Sequence, residues 1–96
     1  MNRDEILEKL RKYKKAHEKQ YYIVKIGIFG SLARGTMREH SDIDIIIEQK
    51  KPDLFILGSI KTELEEELGR KVDIIRLHDR MNQFLKKRIE REAIYA

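Results

Sequence analysis

The apolar pattern of this chain predicts a mixed α/β domain, a small mixed β-sheet flanked by helices. Segments with helical apolar spacing alternate with short β-branched runs, the pattern of a sheet covered by helices. The second and third β-branched runs are separated by a long helical stretch, which is what a parallel crossover needs. The first run ends in Gly30-Ser31 and the second opens on Asp42-Ile-Asp44. Those residues share an edge only if the first two strands are antiparallel.

The elements follow in order. Asn2 and Glu5 have capping-box spacing, and Ile6, Leu7, Leu10 and Tyr13 recur on one face, predicting a helix to about His17. Its other face, with Lys9, Arg11, Lys12, Lys14 and Lys15, reads as a solvated face ahead of a nucleic-acid contact, since no aromatic or glycine-rich reader accompanies it. Tyr22 to Phe29 is β-branched and aromatic and predicts a buried strand. Leu32 to Arg38 has room for about two helical turns, limited by Gly35. Asp42 to Glu48 predicts a second strand, with isoleucines buried on both faces. Pro52 lies at or near the first position of a helix marked by Leu54, Leu57, Ile60, Leu64 and Leu68 and capped by Gly69. Val72 to Leu77 is the third strand. Asp79 has the character of an N-cap for a last helix that carries Met81, Phe84, Leu85 and Ile89 inward.

Composition narrows the function. Ninety-six residues fit one domain, residues 1–96, without repeat, linker or low-complexity segment. The absence of cysteine excludes disulfides, thiolate metal sites and cysteine nucleophiles. A net charge of +4, spread along the chain, says little about a polyanionic partner. No apolar run approaches the roughly 18 residues of a membrane span, and the N-terminus is charged where a signal peptide would be apolar. The expectation is a cytoplasmic protein with no membrane contact. Abundant Lys, Glu, Arg and Ile also fits a protein from a hot environment.

The chemistry concentrates between Ile26 and Ile47. Gly30 permits a tight turn and close approach to a ligand, and Ser31 offers a hydroxyl and an N–H to a phosphate oxygen. Asp42 and Asp44, two apart, project from one face if both lie on a strand, and paired hard oxygens suit Mg²⁺ carrying a triphosphate. A mixed sheet brings Asp73 to the same edge. Carboxylates about 5 Å apart repel by roughly 3 kcal/mol at an effective dielectric near 20, a liability unless a cation offsets it. Arg34 and Arg38 read either as ordinary loop residues or as phosphate contacts. Each aspartate taken alone also fits a turn or cap. His17, His40 and His78 lack ligand spacing. A P-loop is excluded because no Gly-Lys-Ser/Thr follows Gly27 or Gly30.

Gly30-Ser31, the following Ala33-Arg-Gly-Thr36, then Ser41-Asp42-Ile-Asp44-Ile45 and the later Val72-Asp73-Ile74 together resemble the minimal nucleotidyltransferase (MNT) family of the DNA polymerase β-type superfamily. The likeness covers nearly the whole chain and implies the polymerase β-like nucleotidyltransferase fold. It implies two Mg²⁺ ions held by Asp42, Asp44 and Asp73, the last also helping to deprotonate an acceptor hydroxyl. Gly30 and Ser31, with Arg34, would hold the phosphates of ATP as substrate. Proteins of this size and family resemble antitoxins that transfer AMP to a tyrosine of a HEPN-domain toxin, which implies a hetero-oligomeric partnership with such a toxin. Ile94 and Tyr95 then read as part of the partner surface or as core or terminal tail. Two further readings stay open: an antitoxin that acts by occlusion, and transfer to a small molecule. Direct nucleic-acid binding ranks last.

Overall fold

The computed structural model describes residues 2–96, and in it the Asn2 cap works as read: its side-chain oxygen accepts the Glu5 amide at 2.9 Å and opens α1 (Arg3–His17). Strand β1 spans Ile23–Phe29. It starts one residue later than expected, because Tyr22 adopts φ 58, a left-handed conformation no strand accommodates. The pairing with the next strand slips between Ile23 and Lys25. That bulge shifts the alternation, so Ile23 is buried, Val24 is exposed, and Ile26 and Ile28 return to the core.

The short helix α2 covers Gly30–Arg34, one turn rather than the two expected from Leu32 to Arg38. Gly35 takes φ 77 and ends it. Strand β2 is Ile43–Gln49, leaving Asp42 one residue outside it. Helix α3 is Leu54–Leu68, capped by Asp53 through its oxygen to the Phe55 and Ile56 amides and closed by Gly69. Pro52 therefore precedes the cap, and Leu54 in the first turn is 78% exposed rather than inward.

Strand β3 is Val72–Arg76 and α4 is Gln83–Glu92. The N-cap of α4 is Asn82, which accepts the Leu85 amide at 3.0 Å, not Asp79, whose carboxylate instead pairs with Lys86 at 3.3 Å. Met81 is buried ahead of the helix, whereas Phe84, expected inward, is 82% exposed. Both follow from the later start, which turns the apolar stripe onto Leu85 and Ile89. Ile94–Tyr95 form a fourth strand, β4, antiparallel to β1. Gly27 makes room for it, since a Cβ there would stand 2.6 Å from the Ile94 carbonyl oxygen.

The strand order is β3-β2-β1-β4, with β1 antiparallel to β2 and β2 parallel to β3 across the α3 crossover. This is the mixed sheet expected. Ile26, Ile28, Ile43, Ile45, Ile47 and Val72 pack with Ile6 and Leu10 of α1 and Ile60 and Leu64 of α3. The opposite face packs Phe29 and Ile46 against Met81 and Ile89 beneath α4. Each fully buried isoleucine contributes about 1.5–3 kcal/mol of apolar transfer. Between α1 and α3, Glu63 accepts hydrogen bonds from the hydroxyls of Tyr13 (3.2 Å) and Tyr21 (2.7 Å), with His17 stacked on Tyr21. No helix among the described residues is long and apolar enough to cross a membrane.

Candidate active site

Sheet register aligns the site. Phe29 faces Asp44 across the antiparallel pair, and Asp44 faces Asp73 across the parallel pair, so the three form one row over a single face of the sheet. Asp42 lies just before β2, and its charge reaches Asp44. Gly30 ends the turn out of β1 with φ 69, and a Cβ on it would collide with Asp44 Oδ2. Only glycine satisfies both conditions at that position. The turn bearing Ser31 is thus held directly against the middle carboxylate.

The Asp44 carboxyl is raised above the usual carboxylate range, first by burial, then by the charges of Asp73 and Asp42; Arg34 pulls the other way. Asp42 and Asp73 are exposed. Arg34, at the end of α2, stands 3.7 Å from the Glu92 carboxylate of α4. Asp42, Asp44, Asp73, Gly30 and Arg34 are therefore gathered at one edge, and Ser31 follows Gly30 there. Arg38 and His40 remain exposed in the loop before Asp42.

Three contributors escaped the sequence reading. Arg70 donates to the carbonyls of Arg38, Glu39 and Ser41 at 3.1, 2.6 and 2.7 Å, pinning the loop that delivers Asp42. Glu92 of α4 stands beside Arg34 and pairs with Arg88 on the same helix. Charged residues make up 40% of the chain, so no local signal distinguishes these from solvated ones. A cleft of about 510 Å³ lies at the other end of the sheet, beside Lys25, Glu48, Arg76 and Tyr95. Of the carboxylates, Asp42 and Asp73 are exposed and Asp44 is partly buried.

The donor set fits a hard divalent cation: Asp44 is raised by burial and by the charges of Asp73 and Asp42, which Arg34 only partly offsets. Among the described residues no three acidic or imidazole groups form a ready-made metal cage.

This combination of fold and acidic edge defines a nucleotidyltransferase. The profile of the nucleotidyltransferase domain matches residues 7–96, and the chain belongs to that family, in its minimal branch. A Methanocaldococcus jannaschii protein, MJ1217, provisionally named a protein adenylyltransferase, is 44% identical over 95% of this chain and 94% of its own length. A solved structure provisionally named a minimal nucleotidyltransferase is 33% identical, with a TM-score of 0.74 over 98% of this chain and 95% of that one. The MNT antitoxin solved with tri-AMPylated HEPN toxin from Shewanella oneidensis shares the fold, with a TM-score of 0.71, 18% identity, and 97% and 70% of the two chains covered.

Proposed function

We propose that this chain transfers AMP from ATP to a hydroxyl of a partner protein in the cytoplasm, acting as an antitoxin that adenylylates a tyrosine of a HEPN-domain toxin. The observation that carries the nucleotidyl-transfer step is the contiguity of the Gly30 turn with Asp44 and, through register, with Asp73. The partner class is supported by the shared fold with an antitoxin solved on an AMPylated HEPN toxin and by the named relative above.

Asp42 and Asp44 would hold Mg²⁺, and Asp73 would complete a second ion's site. Magnesium, when bound, supplies neutralisation of the triphosphate and of the departing pyrophosphate. Gly30 and Ser31 hold the β- and γ-phosphates through backbone N–H and hydroxyl, and Arg34 adds charge. Asp73, exposed at the rim, takes the proton of the acceptor hydroxyl. The acceptor oxygen forms a bond to the α-phosphorus, the bond from that phosphorus to the bridging β-phosphate oxygen breaks, and pyrophosphate leaves with the electron pair. Positioning and charge neutralisation supply most of the rate.

The test is label transfer from α-labelled ATP with Mg²⁺ into a lysate of the native source, comparing wild type with Asp44→Asn. A labelled protein band present only with wild type supports the reading and identifies the acceptor. Binding of Mg-ATP without labelling favours occlusion, and label in a small molecule overturns the protein acceptor.

A further inference from the structure

Glu92 places one carboxylate between two guanidinium groups. Its Oε1 lies 3.7 Å from Nη1 of Arg34, and its Oε2 lies 3.3 Å from Nε of Arg88, one helical turn back on α4. Arg88 in turn sits over the ring of Phe29, 5.5 Å from its centroid, and Phe29 is the register partner of Asp44. Arg34 is close enough to Asp44 for its charge to act on that carboxyl. Two cations thus stand beside the carboxylate row, tied together by a single anion.

Stability does not account for the arrangement. The side chains of Arg34 and Arg88 are 45% and 50% exposed, and ion pairs of that exposure contribute about 0–1 kcal/mol. The arrangement leaves most donors in hand. Each guanidinium carries five N–H groups, and Glu92 takes one from Arg88 and holds Arg34 mainly by charge. The remaining donors suit bidentate contact with phosphate oxygens, and the trio keeps a net positive charge next to three carboxylates.

We propose that Glu92 is a positioning residue that holds Arg34 and Arg88 as a paired clamp for the β- and γ-phosphates of the nucleoside triphosphate at the carboxylate edge. This rests on the nucleotidyl-transfer reading and adds Arg88, from the helix that covers the same sheet face as the carboxylate row, to its phosphate-binding groups. It also gives α4 a task besides covering Phe29 and Ile46.

The experiment is calorimetric binding of Mg²⁺ with an ATP analogue whose α,β-bridge is methylene, beside binding of AMP, to the full chain and its variants. Glu92→Gln and Arg88→Ala should each weaken the triphosphate analogue about tenfold, as loss of a charge-assisted contact does, while leaving AMP affinity unchanged. The double variant should lose less than the product of the two single losses, because Glu92 and Arg88 act partly through one contact, yet more than Arg88→Ala alone, because Arg34 also loses its anchor. Arg88→Lys, which keeps charge but loses the fork, should fall between and covers the case in which Glu92→Gln does not fold. Unchanged triphosphate affinity in Glu92→Gln and Arg88→Ala, or an equal loss for AMP, overturns the clamp alone. Failure of the wild type to bind the triphosphate analogue overturns the nucleotidyl-transfer reading and the clamp with it.

Discussion

The Asp44 carboxylate occupies the space that a Cβ on Gly30 would need, so the turn out of β1 and the middle carboxylate cannot be altered independently. Gly30→Ala must pay for a left-handed alanine, about 1–2 kcal/mol, and push Asp44 aside as well. We expect a lower melting temperature together with a fall in label transfer of about 100-fold, the scale of loss when a reacting geometry is displaced by an ångström. Full transfer by this variant would show that the contact is incidental.

Asp44→Asn removes a carboxylate raised by burial and by two neighbouring acids. Without metal the variant should melt at the same temperature as wild type or up to about 4 °C higher, since the relieved repulsion is partly screened and 1 kcal/mol moves a domain of this size by about 4–8 °C. Transfer should be lost. A marked drop in melting temperature of the metal-free protein would mark Asp44 as a structural carboxylate.

Arg70 satisfies three carbonyls of the loop that ends at Asp42. Arg70→Ala should loosen that loop and reduce transfer about tenfold while the sheet core stays intact. Circular dichroism and transfer measured together separate the two effects; equal activity with equal melting would mean the loop holds itself.

Tyr13 and Tyr21 titrate above the ordinary phenol range, Tyr13 through burial and then the charge of Glu63, Tyr21 through its hydrogen bond to Glu63. In the unfolded chain both ionise near about pH 10, whereas the fold keeps them protonated. Their contribution is therefore complete below about pH 10 and is lost as pH rises beyond it. Melting followed from pH 9 to 11.5 should show a decline, shallower in Glu63→Gln; identical slopes would remove these phenols as its cause.

Much of the candidate site's layout was legible because its residue types are hard to place otherwise. Requiring Gly30-Ser31, Asp42-Ile-Asp44 and Asp73 to meet forces antiparallel then parallel pairing, and the register shows both. What could not be read depends on tertiary context. Asp79 and Asn82 are equally good caps by composition, and only the packing of Leu85 and Ile89 selects Asn82. β4 has two residues, too few for a period, and is stabilised by the space above Gly27. Arg70, Arg88 and Glu92 work through partners in distant segments or on another helix, which spacing along the chain does not reveal.

The parallel join of β2 to β3 has a kinetic consequence. Ser31 and Asp42 lie in the connection between the antiparallel strands β1 and β2, and Asp44 lies on β2, so one local closure brings them together at small entropic cost. Asp73 reaches the row only after α3 has formed and carried β3 back alongside β2. Non-local pairing of this kind is the slower event on loop-closure grounds. A chain caught before that crossover closes holds two of the three carboxylates and lacks the third, so the acidic edge is completed by the β3 pairing rather than by the first hairpin.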